Sequence, residues 1–217
     1  MSDKCTYLVN RRISTADAPG AARELYRSLV EVGAVEPHPR NNIPLCLATA
    51  FAVRSDCPHF DALVPPKYPR RPHITGVAIE VTDYEWRAEP GGAELTPRYR
   101  AGSGLFFNND GVEAVCPGCG HVIELGPPGS EPLYKALDDW CSMRDGASVV
   151  CPNCANTSPL HEWDTASHSF AVGHLGIGLW GGMLGALTEE PQPPSALALR
   201  RLLGDNANDY AVIYCHI

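Results

Sequence analysis

Cys116-Pro-Gly-Cys119 and Cys151-Pro-Asn-Cys154 are two Cys-Pro-x-Cys turns with 31 residues between them. Each turn sets two sulfurs about one tetrahedral edge apart. Two such turns close a four-thiolate shell that leaves no position open for water. Proline at the second position presets φ for a tight bend, and Gly118 and Gly120 are expected to adopt φ > 0, so that backbone N–H groups point at sulfur. The pattern predicts one structural Zn²⁺ on Cys116, Cys119, Cys151 and Cys154. Iron is chemically allowed in the same tetrahedral sulfur set.

With these turns, the stretch over residues 112–164 resembles the zinc-ribbon or rubredoxin-like class, in which two knuckles face each other. The resemblance implies a metal and no activity. Two other readings of the cysteines are weaker. A thioredoxin-type redox pair needs one Cys-x-x-Cys on a βαβ unit, whereas here there are two copies and no such pattern. Two disulfides need an oxidising compartment. The chain begins Met-Ser-Asp-Lys without an apolar signal segment, so a cytoplasmic protein with reduced thiols is expected.

The flanks of the knuckles set the architecture. Pro132 to Arg144 reads as a helix inside the metal unit, with Leu133, Leu137, Trp140 and Cys141 on one face. Gly104 to Val115 holds two short strands leading into the first knuckle. Ser169 to Trp180 alternates, with Leu175, Ile177 and Leu179 on one side and His174, Gly176 and Gly178 on the other. That is a strand with a bare glycine face, open to close approach by a backbone, a helix or a ligand.

Further out, Cys5 to Arg12 is a β-rich first strand. A helix follows, with Asp17 and Pro19 at its start, Gly33 as its stop, and Ala22, Leu25, Tyr26, Leu29 and Val30 at helical spacing. Val35 to Pro72 is proline-dense and irregular apart from brief strands in Leu45–Val53. His73 to Val81 is a strand, and Trp86 to Arg100 a polar loop. Ser195 caps a short helix over Ala196–Leu203, and Asp209 to Ile217 is a closing strand expected at the centre of a sheet. This order predicts an α+β, ferredoxin-like (split βαβ) core of residues 1–111 and 165–217. The ribbon of residues 112–164, carrying one helix, is inserted between its second and third strands.

At 217 residues and 44% hydrophobic, the chain can bury a core without staples. The longest apolar stretch, Leu175 to Leu187, is too short for a membrane span and is broken by Gly176, Gly178, Gly181, Gly182 and Gly185. The net charge of −8 is uneven. Residues 1–105 hold 13 basic and 12 acidic residues, and residues 106–217 hold 4 and 13. A ribbon that grips nucleic acid needs the opposite sign to displace phosphate counterions.

No catalytic set assembles in the sequence. His161, His168 and His174 are spaced seven and six apart, and no His-Glu-x-x-His is present. His121 and the His161-Glu162-Trp163-Asp164 segment read as neighbours of the metal shell that are not ligands. Cys57 and His59 are too close in sequence for a usual nucleophilic dyad. Cys5, Cys46, Cys141 and Cys215 read as small core residues. Asp138 and Asp139 form a solvated face, and Lys67, Arg70 and Arg71 one basic loop. The glycines of 173–185 fit no phosphate loop and read as close-packing residues.

The expected function is that of a zinc-stabilised, cytoplasmic protein-binding protein, such as an immunity- or antitoxin-like inhibitor of a basic partner steered by the acidic second half. One alternative is a hydrolase or transferase at the glycine-faced strand 169–180 with His168, His174 and His216. The other is a nucleic-acid-binding ribbon, disfavoured by charge.

Overall fold

The computed structural model describes residues 4–39, 50–53, 76–82, 100–102, 104–107, 111–126, 128–165, 168–180 and 209–216. In chain order these form β1 (Lys4–Asn10), α1 (Ala18–Glu31), β2 (Val35–Pro39), β3 (Ala50–Val53) and β4 (Gly76–Thr82). Next come β5 (Arg100–Gly102), β6 (Leu105–Phe107), β7 (Glu113–Val115), β8 (Val122–Glu124) and α2 (Glu131–Met143). The chain continues through β9 (Ser148–Val150), β10 (Thr157–Pro159), β11 (Phe170–Val172), β12 (Leu175–Trp180) and β13 (Tyr210–His216). It is a mixed α/β protein with antiparallel sheets and, among the described residues, two helices. None of these helices is long and apolar enough to cross a membrane.

The large sheet runs β13-β1-β12-β4-β3-β2, with β5 beside the second half of β4. Every neighbour is antiparallel except the β4–β5 pair. Side chains alternate across the pleat. Leu8, Val77, Ile79, Val81, Leu175 and Ile177 face α1, which buries Ala18, Ala22, Leu25 and Leu29 against them. The helix stops where Gly33 takes φ +69° and its N–H, with that of Ala34, returns to the carbonyls of Val30 and Leu29. Asp17 sits at the helix start without capping it, because its carboxylate takes the Ser14 hydroxyl at 2.7 Å.

On the other face of the sheet, Tyr7, Val9, Ala78, Ala211 and Ile213 pack against Phe106 and Ala171 from the β6–β11 ladder. That ladder has two apolar faces. Its Phe170 and Val172 point away from the sheet into a second core with Leu133, Trp140, Leu160 and Trp163. The layers are therefore α1, the large sheet, the β6–β11 ladder and the knuckle-bearing unit.

Three expectations need correction. Ser169–Trp180 is not one strand. It breaks at Gly173–His174 into β11 and β12, which lie in different layers. Gly173 allows this because a Cβ there would lie 2.2 Å from the Asn10 carbonyl oxygen. The closing strand is not central either: β13 ends the order of the described strands, paired with β1 alone. Its outer side is shielded by residue 168, since the Tyr214 N–H donates to the His168 carbonyl at 3.0 Å. Thirdly, Val35–Pro39 forms the strand β2 in a stretch expected to be irregular, and it pairs with β3, which lies within the brief strands expected in Leu45–Val53. The expected helix at Ala196–Leu203 and residues 86–99 of the expected loop lie outside the described residues.

Candidate metal centre

The two knuckles are built alike. Each sits at the tip of a two-stranded ladder, β7–β8 for the first and β9–β10 for the second. The Cys116 N–H donates to the His121 carbonyl at 2.8 Å and the Gly120 N–H to the Cys116 carbonyl at 2.9 Å. In the second knuckle the Cys151 N–H donates to Asn156 at 2.9 Å and the Ala155 N–H to Cys151 at 2.9 Å. Gly120 and Ala155 both lie at positive φ, as the turn requires. Gly118 does not, contrary to expectation. Glycine fits there for space, because a Cβ would come 3.0 Å from the Asn156 side-chain nitrogen.

These turns bring the four sulfurs together, all within 4.8 Å of one another. Cys116 Sγ lies 3.8 Å from Cys154 Sγ, and Cys119 Sγ lies 3.7 Å from Cys151 Sγ. A tetrahedron with metal–sulfur bonds of ~2.3 Å has edges of ~3.8 Å. A disulfide would need ~2.05 Å, and all four thiols are free. Four sulfurs so placed can bind a metal ion. Cys116 and Cys151 are buried and Cys119 is exposed.

Donors surround the sulfurs. The Gly118 N–H points at Cys116 Sγ over 3.4 Å, and Asn153 Nδ2 at Cys119 Sγ over 3.6 Å. The Asn153 amide, helped by the His121 N–H and neighbouring thiols, brings the Cys119 thiol down to about 6. At Cys154 the Asn156 N–H also pulls downward. Desolvation and the three neighbouring sulfurs outweigh it and push that thiol up to about 12. Crowded thiols cannot all ionise alone, and a cation at their centre displaces the remaining protons.

The other residues singled out in the sequence scatter. His121 is exposed and lends the shell only its backbone. In the 161–164 segment, Trp163 Nε1 donates to Ser158 Oγ at 2.8 Å, and Asp164 lies 3.6 Å from the Arg11 guanidinium. His168 turns Nδ1 to the Val212 carbonyl at 3.0 Å and packs edge-on to Tyr214. His174 is buried elsewhere, stacked on Trp140 with ring centres 5.2 Å apart. The His216 side chain, Cys46, Cys57, His59, Lys67, Arg70 and Arg71 lie outside the description. Cys141 is exposed, not a core residue, because Ala136 and Trp140 take the buried face of α2. Asp138 is exposed, while Asp139 is half-buried and pairs with Lys135.

The glycine face of β12 is filled at Gly176. A Cβ there would come 2.3 Å from Phe106 Cζ, so the ring lies directly on the backbone. No local pattern in the chain pointed to the contacts around His174. Its Nε2 meets Asp145 Oδ1 at 2.6 Å and the Thr15 hydroxyl at 3.3 Å. A hydroxyl, an imidazole and a carboxylate meet here, but the carboxylate takes Nε2 and the hydroxyl straddles the ring, 3.3 Å from that same Nε2 and 3.5 Å from Nδ1. A proton relay needs one oxygen on each nitrogen. Comparison with protein-family models, curated proteins and solved structures gave no match.

Proposed function

We propose that Cys116, Cys119, Cys151 and Cys154 hold one Zn²⁺ as a closed structural site, and that the protein acts by binding another protein. The sulfur separations of 3.7 and 3.8 Å carry the first half of this reading. Four cysteines complete the shell, which leaves the metal no open position to activate water. Zinc here would staple a ribbon-like unit over 112–164, inserted into a core of 1–111 and 165–217. A ferredoxin-like plan for that core is supported by the order β13-β1-β12-β4, in which the last strand lies beside the first and the third separates the first from the second.

Charge supports the second half. Residues 112–164 hold eight acidic side chains and two basic ones, Lys135 and Arg144. A zinc–tetrathiolate centre adds about two negative charges. Such a face repels phosphate and favours a basic protein, the pattern of an immunity- or antitoxin-like inhibitor. The hydrolase or transferase alternative has less support, because Phe106 fills the glycine face at Gly176 and His168 and His174 have separate contacts. Affinity capture with the zinc-loaded chain as bait tests the reading. The expected catch is a basic protein released by raised salt, and turnover of a small substrate with no partner caught would overturn it.

A further inference from the structure

The strand β8 has one partner among the described residues, β7. Their register pairs Ala114 with Ile123, flanked by the Leu125 N–H to Val112 and Cys116 N–H to His121 bonds. In an antiparallel pair, successive residues turn their backbone groups alternately toward and away from the partner strand. Residues 121, 123 and 125 turn theirs to β7, so Val122 and Glu124 present N–H and C=O on the open side. Ile123 is buried beneath the strand, while Val122 is 40% exposed and Glu124 is exposed. A groove of about 480 Å³ runs along residues 121–126 and is closed by Pro128, Gly129 and Pro152. Pro152 belongs to the second knuckle, so both knuckle-bearing ladders line this groove.

Open edges are blunted by shortness, by charged side chains or by proline. β8 is three residues long and carries no lysine or proline; its one charge is the acidic Glu124. The sequence around it is poor in positive charge, with no Lys or Arg between Arg100 and Lys135, nor between Arg144 and Arg200, and Arg11 sits at the far edge of β7, against Asp164. Glu124 lies on the edge itself. We propose that the β8 edge takes up an extended, basic segment of a protein partner as an added strand. Its backbone pairs with Val122 and Glu124, and its cationic side chains lie over Glu124 and the anionic metal centre. Nucleic acid fits poorly, because Glu124 repels phosphate and a strand edge repeats at the spacing of a peptide. This inference rests on the protein-binding reading above and names its surface.

The test uses the full chain with its metal and a fluorescent Lys-Val-Lys-Val-Lys-Val-Lys peptide, followed by anisotropy at ~0.15 M salt. The peptide should bind, its Glu-for-Lys counterpart should not, and Glu124→Lys should weaken binding at least tenfold. N-methylating alternate peptide amides keeps the charge and removes the strand's donors, so it should also weaken binding at least tenfold. It does so without altering the protein, which separates lost strand pairing from a misfolded variant. Equal binding by the N-methylated peptide, or binding of a labelled DNA duplex to the protein as tightly as the peptide, overturns the proposal. A captured native partner that ignores Glu124→Lys but is weakened by Asp138→Lys would move the interface to α2. That result overturns the β8 site and leaves the protein-binding reading standing.

Discussion

Gly120 and Ala155 occupy the same place in the two knuckles, one residue after the second cysteine, and share a left-handed backbone with φ of +73° and +59°. Only one of them is the residue that geometry favours. An L side chain in this region costs about 1–2 kcal/mol, so the second knuckle carries strain that the first avoids.

Exchanging the two residues has opposite signs. Gly120→Ala should lower stability by about 1 kcal/mol. No atom lies within 4 Å of the added Cβ, so the effect comes from the backbone alone. Ala155→Gly should raise stability by somewhat less, since glycine also loosens the unfolded chain. Thermal melts of the metal-loaded variants measure both, and the same sign for both would contradict the matched-knuckle geometry.

The contact between Phe106 and Gly176 makes a sharper prediction. Gly176→Ala should cost about 1–3 kcal/mol by overpacking. Phe106→Leu should cost a similar amount on its own, through lost ring contacts. The double variant should be more stable than the sum of the two losses allows, because the smaller side chain makes room for the Cβ. Strict additivity in denaturant melts would show that the ring does not rest on this glycine.

His174 joins three parts of the chain through Trp140, Asp145 and Thr15. It is 2% exposed, so His174→Ala should leave a cavity beside Trp140 and a carboxylate without its partner, at a loss of about 2–4 kcal/mol. Asp145→Asn keeps a hydrogen bond and should cost less. Chemical denaturation separates the two. An unchanged stability for His174→Ala, with loss of a catalytic turnover, would instead make His174 a catalytic group.

On α2, Asp138 is the better probe of the acidic face. Asp139 pairs with Lys135, so reversing it would set two lysines side by side. Asp138→Lys should slow association with a captured basic partner, and added salt should do the same, with zinc content and melting temperature nearly unchanged. A labelled DNA duplex should show no binding at ~0.15 M salt. Tight duplex binding would contradict the charge argument.

Local signals survived folding well. Both knuckles lie where the Cys-Pro-x-Cys spacing puts them, and α1 buries Ala22, Leu25 and Leu29 at the spacing read from sequence. Layering was less legible. The alternation of Ser169–Trp180 is the same whether the chain runs on or steps between sheets. The step depends on the nearness of Asn10 to Gly173, which no local pattern encodes. A strand's rank within a sheet is equally invisible. β13 is apolar at its edge because the β6–β11 ladder covers one face and residue 168 its outer side. Cys141 misled because helical spacing near Trp140 leaves two candidate faces, and packing chose Ala136 and Leu133.

The most direct test of the metal site is zinc X-ray absorption, with elemental analysis, on protein purified without a tag or added metal. About one zinc per chain is expected, bound by four sulfurs at ~2.3 Å, with loss of both metal and fold in Cys116→Ser and Cys151→Ser. Nitrogen or oxygen ligands on the zinc, a metal-free folded protein, or a disulfide among Cys116, Cys119, Cys151 and Cys154 would contradict it.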